Sequence, residues 1–282
     1  MKKRSSSKRY KQSKVKRDNN KVVLPNGSMM TTGEHLEALR KVLIRIILCA
    51  LASAIVVFIC KDTFFEIIFA PSRSNFILYR WINTLLTKVG WTDYLLNDFN
   101  VQLINTELSS QLITHIELSI YWGILLTSPY IVYCLFQYIK PALYETELKY
   151  SIIIILTIYL LFALGLATNY FIIFPISFRF LSTYQVSSIV QNTIALSSYS
   201  SSFLLLSFTM GLVFELPVLS FILTKLGFID ADLLRRYRKY AFLLLMIVSA
   251  IITPPDIFTL LLLTIPLYAL YECSILIISK IK

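Results

Sequence analysis

The sequence predicts an all-α integral membrane protein with six transmembrane helices and both termini on the inner side. The 282-residue chain is 56% hydrophobic, with a mean hydropathy of +0.68 and only 7 glycines. Several apolar runs each approach the roughly 20 residues that a helix needs to cross a bilayer. These runs lack the strict alternation of a transmembrane β-strand, which favours helices over a barrel.

The chain is expected to divide into a tail and one membrane domain. Residues 1–30 are basic and rich in Ser and Asn, with too little apolar content to fold alone, so we expect a disordered tail. Residues 31–282 are expected to form the six-span domain. Thr31 and Glu34 fit a capping box that predicts a short amphipathic helix at the membrane surface, leading into the first span.

The predicted spans are 42–60, 112–136, 151–174, 203–224, 240–253 and 257–278. The fifth is unusually brief, because only 14 residues separate Lys239 from Pro254. Such a helix is about 21 Å long, whereas the hydrocarbon core is about 30 Å thick. Local thinning of the bilayer, or burial of the helix among its neighbours, would relieve the mismatch.

Positive charge predicts the orientation. The segments assigned to the inner side carry 21 Lys and Arg residues, against 5 on the outer side. The net charge of +11 therefore indicates membrane orientation and contact with anionic lipid, and no nucleic-acid partner is expected. The long outer loop, 61–111, is predicted to hold a surface helix that caps the domain, with Trp81 and Trp91 as anchors.

Glu215 is the strongest candidate for a functional residue because it is the only charged residue between Phe203 and Leu223. A carboxylate at the middle of a membrane helix costs roughly 2.5 to 3.5 kcal/mol on insertion scales, so it persists only beside protein, water or a partner. A structural glutamate bonded to a neighbouring helix is the alternative.

Motifs of enzymes and cofactor sites are missing. There is no glycine-rich nucleotide loop, and His35 and His115 stand in no HExxH zinc motif. The four cysteines have no paired spacing, which favours buried apolar roles over a metal site or a disulfide framework. We therefore expect no enzyme activity, no cofactor and no metal.

Short motifs in order along the chain resemble those of the TatC family, the multispanning receptors of the twin-arginine protein translocase. His35 to Arg40 is similar to the family's HLxELR element. The other similar motifs are Ala70-Pro71, Pro141 to Tyr144 with Glu147, Phe214 to Pro217, and Thr253-Pro254-Pro255-Asp256.

The resemblance implies a non-enzymatic receptor that binds twin-arginine signal peptides and helps move folded proteins, using the proton gradient. It implies a concave helix bundle, single-span TatA/TatB-like partner subunits and a homo-oligomer within the complex. Paired guanidinium groups are held by carboxylates through charge-assisted hydrogen bonds. The implied signal-peptide site comprises His35, Glu37, Arg40, Tyr138 and Glu147, while Glu215 would line a concave, watered face.

Some positions depart from the family pattern. Ala38 stands where glutamate is usual, and Glu37 lies about 100° around the helix from it, so either Glu37 or Glu34 substitutes or recognition is relaxed. Tyr138 replaces a phenylalanine and preserves an aromatic wall. Leu260 replaces a glutamine, which bears on how partner subunits dock, and Glu117 stands where lysine is common.

Some alternatives stay open. A secondary transporter or ion channel would use Glu215 and Glu117 as ion sites, although the repeated halves common in transporters are absent. Asp256 either caps the sixth helix or has a functional role, and Pro71, Pro141, Pro254 and Pro255 are candidate structural or functional loop residues.

The abundance of Ile, Phe, Tyr, Lys and Ser favours localisation in a mitochondrial inner membrane. A bacterial plasma membrane and a thylakoid membrane are the other candidates.

Overall fold

The computed structural model of the chain describes residues 21–23, 29–90, 101–139, 151–185, 187, 192–225, 227–253 and 256–280. Its fold is all-α, as predicted. The first helices are α1 (Thr32–Ile59), α2 (Lys61–Phe69), α3 (Ile77–Val89) and α4 (Ser110–Ile139), with a 3₁₀ turn at Ala70–Ser72. The others are α5 (Ser151–Thr168), a π-helical segment (Asn169–Ile173), α6 (Phe174–Thr183), α7 (Leu196–Val213), α8 (Leu216–Lys225), α9 (Ala231–Arg236), α10 (Arg238–Ile252) and α11 (Ile257–Ser279).

Two short strand pairs accompany the helices. Strand β1 (Lys21–Val23) pairs antiparallel with β2 (Met29–Thr31), directly before α1. At these residues the predicted disordered tail therefore has a small hairpin, while 1–20 and 24–28 lie outside the described residues. Strand β3 (Leu103–Ile104) pairs in parallel with β4 (Ile194–Ala195) and ties together two loops.

Five helical stretches are long and apolar enough to cross a membrane within the described ranges: Leu36–Ile59, Ser110–Tyr138, Ile152–Thr183, Leu196–Lys225 and Ile257–Ser279. Each overlaps a predicted span. The predicted fifth span corresponds to α10, which has 15 residues and is as short as the sequence indicated. The exact count of six crossings thus stays a prediction, since α10 falls below the length of a regular span.

The helices alternate in direction. The end of α1 meets the beginning of α4, where the Phe58 and His115 rings stack at 3.9 Å. The hydroxyl of Tyr199, near the start of α7, donates to the Ile68 carbonyl at 2.6 Å. We call this end of the bundle the outer end and the opposite one the inner end.

The last helix begins at the outer end, because Phe258 stacks on Phe180 there, at 4.2 Å between centroids. It runs the length of the bundle to the inner end, where Glu272 pairs with Arg238 at 2.7 Å. The beginning of α1 and the end of α11 therefore lie at the same end. Placing that end inside the cell rests on the distribution of Lys and Arg.

Three helix boundaries differ from the predictions. The expected short surface helix before the first span is instead continuous with it, because α1 runs unbroken from Thr32. The third span does not stop at Phe174: the π-helical segment lets the chain continue past Pro175, with the Phe174 N–H bonded to the Asn169 carbonyl. The fourth begins at Leu196, before the predicted start at Phe203, and serine hydroxyls such as that of Ser201 bond to carbonyls of the same helix there.

The packed core sits toward the outer end. Buried aromatic rings from α6 and α7 meet edge to face, with Phe174 5.1 Å from Tyr199 and 5.0 Å from Phe203. Large apolar side chains elsewhere on the long helices are exposed in the isolated chain, as expected of surfaces that face lipid.

Candidate functional site

Glu215 lies at a break between α7 and α8. Pro217 has no N–H to offer the carbonyl of Val213, so the helical ladder is interrupted there. The Glu215 N–H instead reaches back three residues to Leu212, at 3.1 Å, and α8 restarts with Leu219 bonded to the Glu215 carbonyl. The interruption holds Glu215 in a turn that points its side chain toward α5.

Two glycines bring α5 and α7 together beside this turn. A Cβ atom added at Gly165 would lie 2.5 Å from the Met210 carbonyl oxygen, and one at Gly211 would lie 2.6 Å from the Phe162 ring. Neither position has room for a larger side chain. The close approach places the Glu215 carboxyl against the backbone of Phe162.

The Glu215 carboxyl is enclosed by protein. Both oxygens are buried, and neither accepts a well-formed hydrogen bond from a described residue, although the Phe162 backbone interacts with the carboxyl. The family resemblance implied that this group borders a watered hollow, but its oxygens are covered in the isolated chain. The site therefore holds two hydrogen-bond acceptors that are incompletely satisfied within the described part of the chain, and such buried groups are rare because burial without a full set of partners is unfavourable.

The predicted recognition residues of α1 lie at the inner end. Glu37 is exposed and pairs with Lys41, four residues on, at 2.9 Å. Arg40 is exposed, while Ala38 is half-buried against the bundle. Ala38 therefore occupies the covered side of the helix, and Glu37 presents the acid to the surface.

Tyr138 is half-buried at the end of α4, which also lies at the inner end because α4 runs antiparallel to α1. The structure thus brings Tyr138 and Glu37 to the same end of the bundle, whereas Glu215 lies on another helix pair. The side chains of His35 and Glu34, and all of Pro141 and Glu147, lie outside the described residues.

Pro71 is a packing residue at the outer end. It is buried in the 3₁₀ turn after α2, and its carbonyl accepts from the Tyr79 hydroxyl at 3.1 Å. The same hydroxyl approaches the Pro175 carbonyl at 2.9 Å, which joins the outer loop to α6. Burial raises the pKa of Tyr79 well above its usual range, against the effect of nearby Arg179, so the hydroxyl keeps the proton that it donates.

Asp256 caps α11. One of its carboxyl oxygens accepts from the Thr259 N–H at 2.6 Å, as an N-cap should. The other oxygen is buried without a partner in the described part of the chain. Pro254 and Pro255 lie outside the described residues. Of the positions that depart from the family pattern, Leu260 is half-buried and Glu117 is exposed.

The structure adds a polar contact that sequence reasoning missed. Asn169 is fully buried in the π-helical segment, and its amide donates to the Ser207 hydroxyl at 2.7 Å. A lone Asn beside Thr168 in an apolar span was the available signal. The described cysteines are all free, and no cluster of metal-binding side chains occurs within the described ranges.

Comparisons with known proteins agree along most of the chain. The family model of the Sec-independent protein translocase protein (TatC) matches residues 34–266. The chain is 35% identical to the Sec-independent protein translocase protein TatC of Blattabacterium sp. subsp. Periplaneta americana, covering 88% of this chain and 96% of that protein. It is 34% identical to TatCy of Bacillus subtilis, covering 89% of each.

Solved structures give the same match in three dimensions. A crystal structure of the twin arginine translocase receptor TatC in DDM superposes with a TM-score of 0.70 and 30% identity, covering 86% of this chain and 99% of that chain. A second crystal structure of that receptor superposes with a TM-score of 0.67 and 32% identity. The described fold is thus similar to nearly the whole of a known receptor.

Proposed function

The chain belongs to the TatC family of Sec-independent protein translocase proteins, and we propose its function on that basis. It is therefore a multi-pass membrane component of a protein translocase, which works with TatA- and TatB-like subunits, and not an enzyme. Membership over residues 34–266 also sets aside the alternative of a transporter or ion channel.

The chain acts as the receptor that binds twin-arginine signal peptides, so that folded proteins cross the membrane at the expense of the proton gradient. The observation that carries this proposal is the superposition on a solved twin-arginine translocase receptor over 99% of that chain's length. At 30% identity over this coverage, the likeness extends to sequence as well as fold.

The proposed recognition surface is the inner surface formed by Glu37, Arg40 and Tyr138. Glu37 is exposed, and only an exposed lysine holds it among the contacts that the structure describes. A surface pair of this kind is readily exchanged for a better partner. A guanidinium group offers two parallel hydrogen bonds where lysine offers a point charge, so arginine of a signal peptide would displace Lys41. His35, Glu147 and Pro141 remain predicted members of this surface.

Glu215 has a second, separate role in the proposal. Its carboxyl oxygens are incompletely satisfied within the described part of the chain, so a donor supplied by a signal peptide or a partner helix would satisfy them. The break before Pro217 suits this role because a helix interrupted at Glu215 can adjust locally while α7 and α8 stay packed.

The setting of the complex is proposed from the relatives. Those described above are bacterial, which supports a bacterial plasma membrane. The mitochondrial inner membrane that the composition favoured has no support from them. Several copies of the chain are expected within one complex, as the family resemblance implies.

Photo-crosslinking tests the receptor role. A photoreactive residue at Leu36, which is exposed beside Glu37, leaves the acid intact. We expect it to label a twin-arginine precursor and to lose that labelling when the two arginines are changed to lysines. A probe at Ile257, exposed at the outer end, is the matched control and should not label. Equal labelling of both precursors from Leu36 would reject the assignment.

A further inference from the structure

The apolar surface of the outer helix α3 extends beyond the side that packs against the rest of the protein. Its packed side holds Tyr79, which is only 1% exposed, together with the half-buried Ile82 and Leu86. Successive helical residues are about 100° apart, so residues four apart form a stripe along one side. A second apolar stripe runs beside the packed side and consists of Ile77, Trp81, Leu85 and Val89.

This second stripe is uncovered along the whole helix. Trp81 and Val89 are 65% and 66% exposed, and Ile77 and Leu85 are exposed as well. A polar side completes the circumference, with Arg80, Thr84 and Lys88 all exposed. Isolated exposed apolar residues need no explanation, but four in register on one 13-residue helix indicate a surface that meets something apolar.

The neighbours of α3 indicate what that surface meets. The helix packs against the π-helical segment, whose Phe171 and Ile172 are exposed within the third membrane-spanning stretch. Phe76, the residue directly before α3, stacks on Phe171 with ring centroids 6.3 Å apart. The uncovered stripe is thus adjacent to the side of the bundle that faces lipid.

The side chains also match the chemistry of a membrane interface. Tryptophan prefers the boundary between headgroups and acyl chains because its ring is apolar and its N–H is polar. Arg80 and Lys88 flank the stripe on the polar side, where their long side chains can reach lipid phosphates. A helix of this composition lies in the interface with its apolar side about 5–10 Å below the headgroups.

We propose that α3 is an interfacial anchor of the outer leaflet, with Ile77, Trp81, Leu85 and Val89 inserted among the acyl chains. The Tyr79 hydroxyl, which shares its one proton between the carbonyls of Pro71 and Pro175, fixes the helix to the bundle at this depth. The anchor lies at the other end of the bundle from the inner recognition surface, so its test does not depend on signal-peptide binding.

Depth-dependent quenching of Trp81 fluorescence tests the anchor. The full-length protein with Trp91→Phe and Trp122→Phe is reconstituted into phosphatidylcholine vesicles that carry bromine at the 6,7 or the 11,12 acyl positions. We expect the shallow bromines to remove more than about half of the Trp81 emission, and the deep ones less, because the stripe lies near the interface. If neither brominated lipid quenches Trp81, the proposal is overturned. This holds whether acrylamide shows that Trp81 is exposed to water or that it is shielded by protein.

Paired variants give a second readout. Leu85→Asp with Val89→Asp puts charge into the stripe and should make Trp81 accessible to acrylamide. The matched control, Thr84→Asp on the polar side, should leave the quenching unchanged. If the single-tryptophan protein does not fold, the difference in lipid quenching between the wild-type protein and Trp81→Phe supplies the same measurement. Equal quenching in those two proteins would contradict the anchor.

Discussion

At the scale of single residues, Glu215 is an acid enclosed inside the bundle where α5 and α7 approach each other closely. The sequence predicts that a lone acid in an apolar span must face protein, water or a partner. The structure encloses both oxygens and leaves them incompletely satisfied within the described part of the chain. The enclosure of the carboxyl could not be predicted from the sequence, because it depends on the close approach of α5 and α7 at Gly165 and Gly211.

Replacing Glu215 with leucine separates a structural role from a functional one. Leucine retains much of the volume and removes an incompletely satisfied buried group, so the free energy of unfolding should stay equal or rise by about 1–3 kcal/mol. Export of a twin-arginine precursor should fall by about tenfold or more, since a lost charged hydrogen bond is worth that much. Melting in detergent and export in cells are the two measurements.

Glu117→Leu is the control for this change because Glu117 is exposed on α4 and should tolerate replacement. Loss of stability together with unchanged export would make Glu215 a structural residue.

Asp256 gives a prediction of the opposite kind. Its hydrogen bond to the Thr259 N–H caps α11, so Asp256→Ala should lower stability by about 0.5–2 kcal/mol. Asp256→Ser retains a capping oxygen and should recover most of the loss in a thermal melt. If serine and asparagine, which both keep a capping oxygen, both fail to restore stability, the second carboxyl oxygen, and not the cap, carries the role.

At the scale of elements, apolar periodicity predicted where the spans lie but not how they end. The sixth span was predicted at 257–278 and is Ile257–Ser279, because Asp256 marks its start. The third span was predicted to end at Phe174, directly before Pro175, because proline usually interrupts a helix. It continues because a π-helical segment rearranges the hydrogen bonds ahead of the proline. The span predicted from hydropathy also leaves out residues 196–202 of α7, where the serine hydroxyls bond to carbonyls of their own helix.

The contact between α5 and α7 is tested at Gly165. A methyl group there would meet the Met210 carbonyl at 2.5 Å, so Gly165→Ala should force the helices apart and destabilise the protein by about 1–3 kcal/mol. The matched control is Gly33→Ala, where a Cβ meets nothing within 4 Å. Unchanged melting of Gly165→Ala would show that the two helices are not held at this distance in the membrane.

At the scale of the whole molecule, the contacts place the beginning of α1 and the end of α11 at one end of the bundle. The charge distribution had predicted this arrangement by assigning 21 Lys and Arg residues to one side. The outer cap was predicted from the spacing of apolar residues in the loop 61–111, but its attachment through Tyr79 to Pro71 and Pro175 was not. Such a bond joins residues 96 positions apart and leaves no local signal in the sequence.

Reporter fusions test whether the short helix α10 completes an even number of crossings. A reporter active only inside the cell should work when fused at either terminus, and one active only outside should work when inserted after Gly90. Gly90 suits insertion because it ends α3 in a left-handed turn with open space around it. Termini on opposite sides would mean that α10 does not cross.

The inner end of this bundle is proposed to recognise paired arginines. Equilibrium binding of a twin-arginine signal peptide to the purified chain in lipid nanodiscs measures this recognition, with a Lys-Lys peptide as the matched ligand. We predict that the arginine peptide binds at least about tenfold more tightly, and that Glu37→Gln reduces this preference, because bidentate hydrogen bonds to a carboxylate are lost. Equal affinity for the two peptides would contradict the claim.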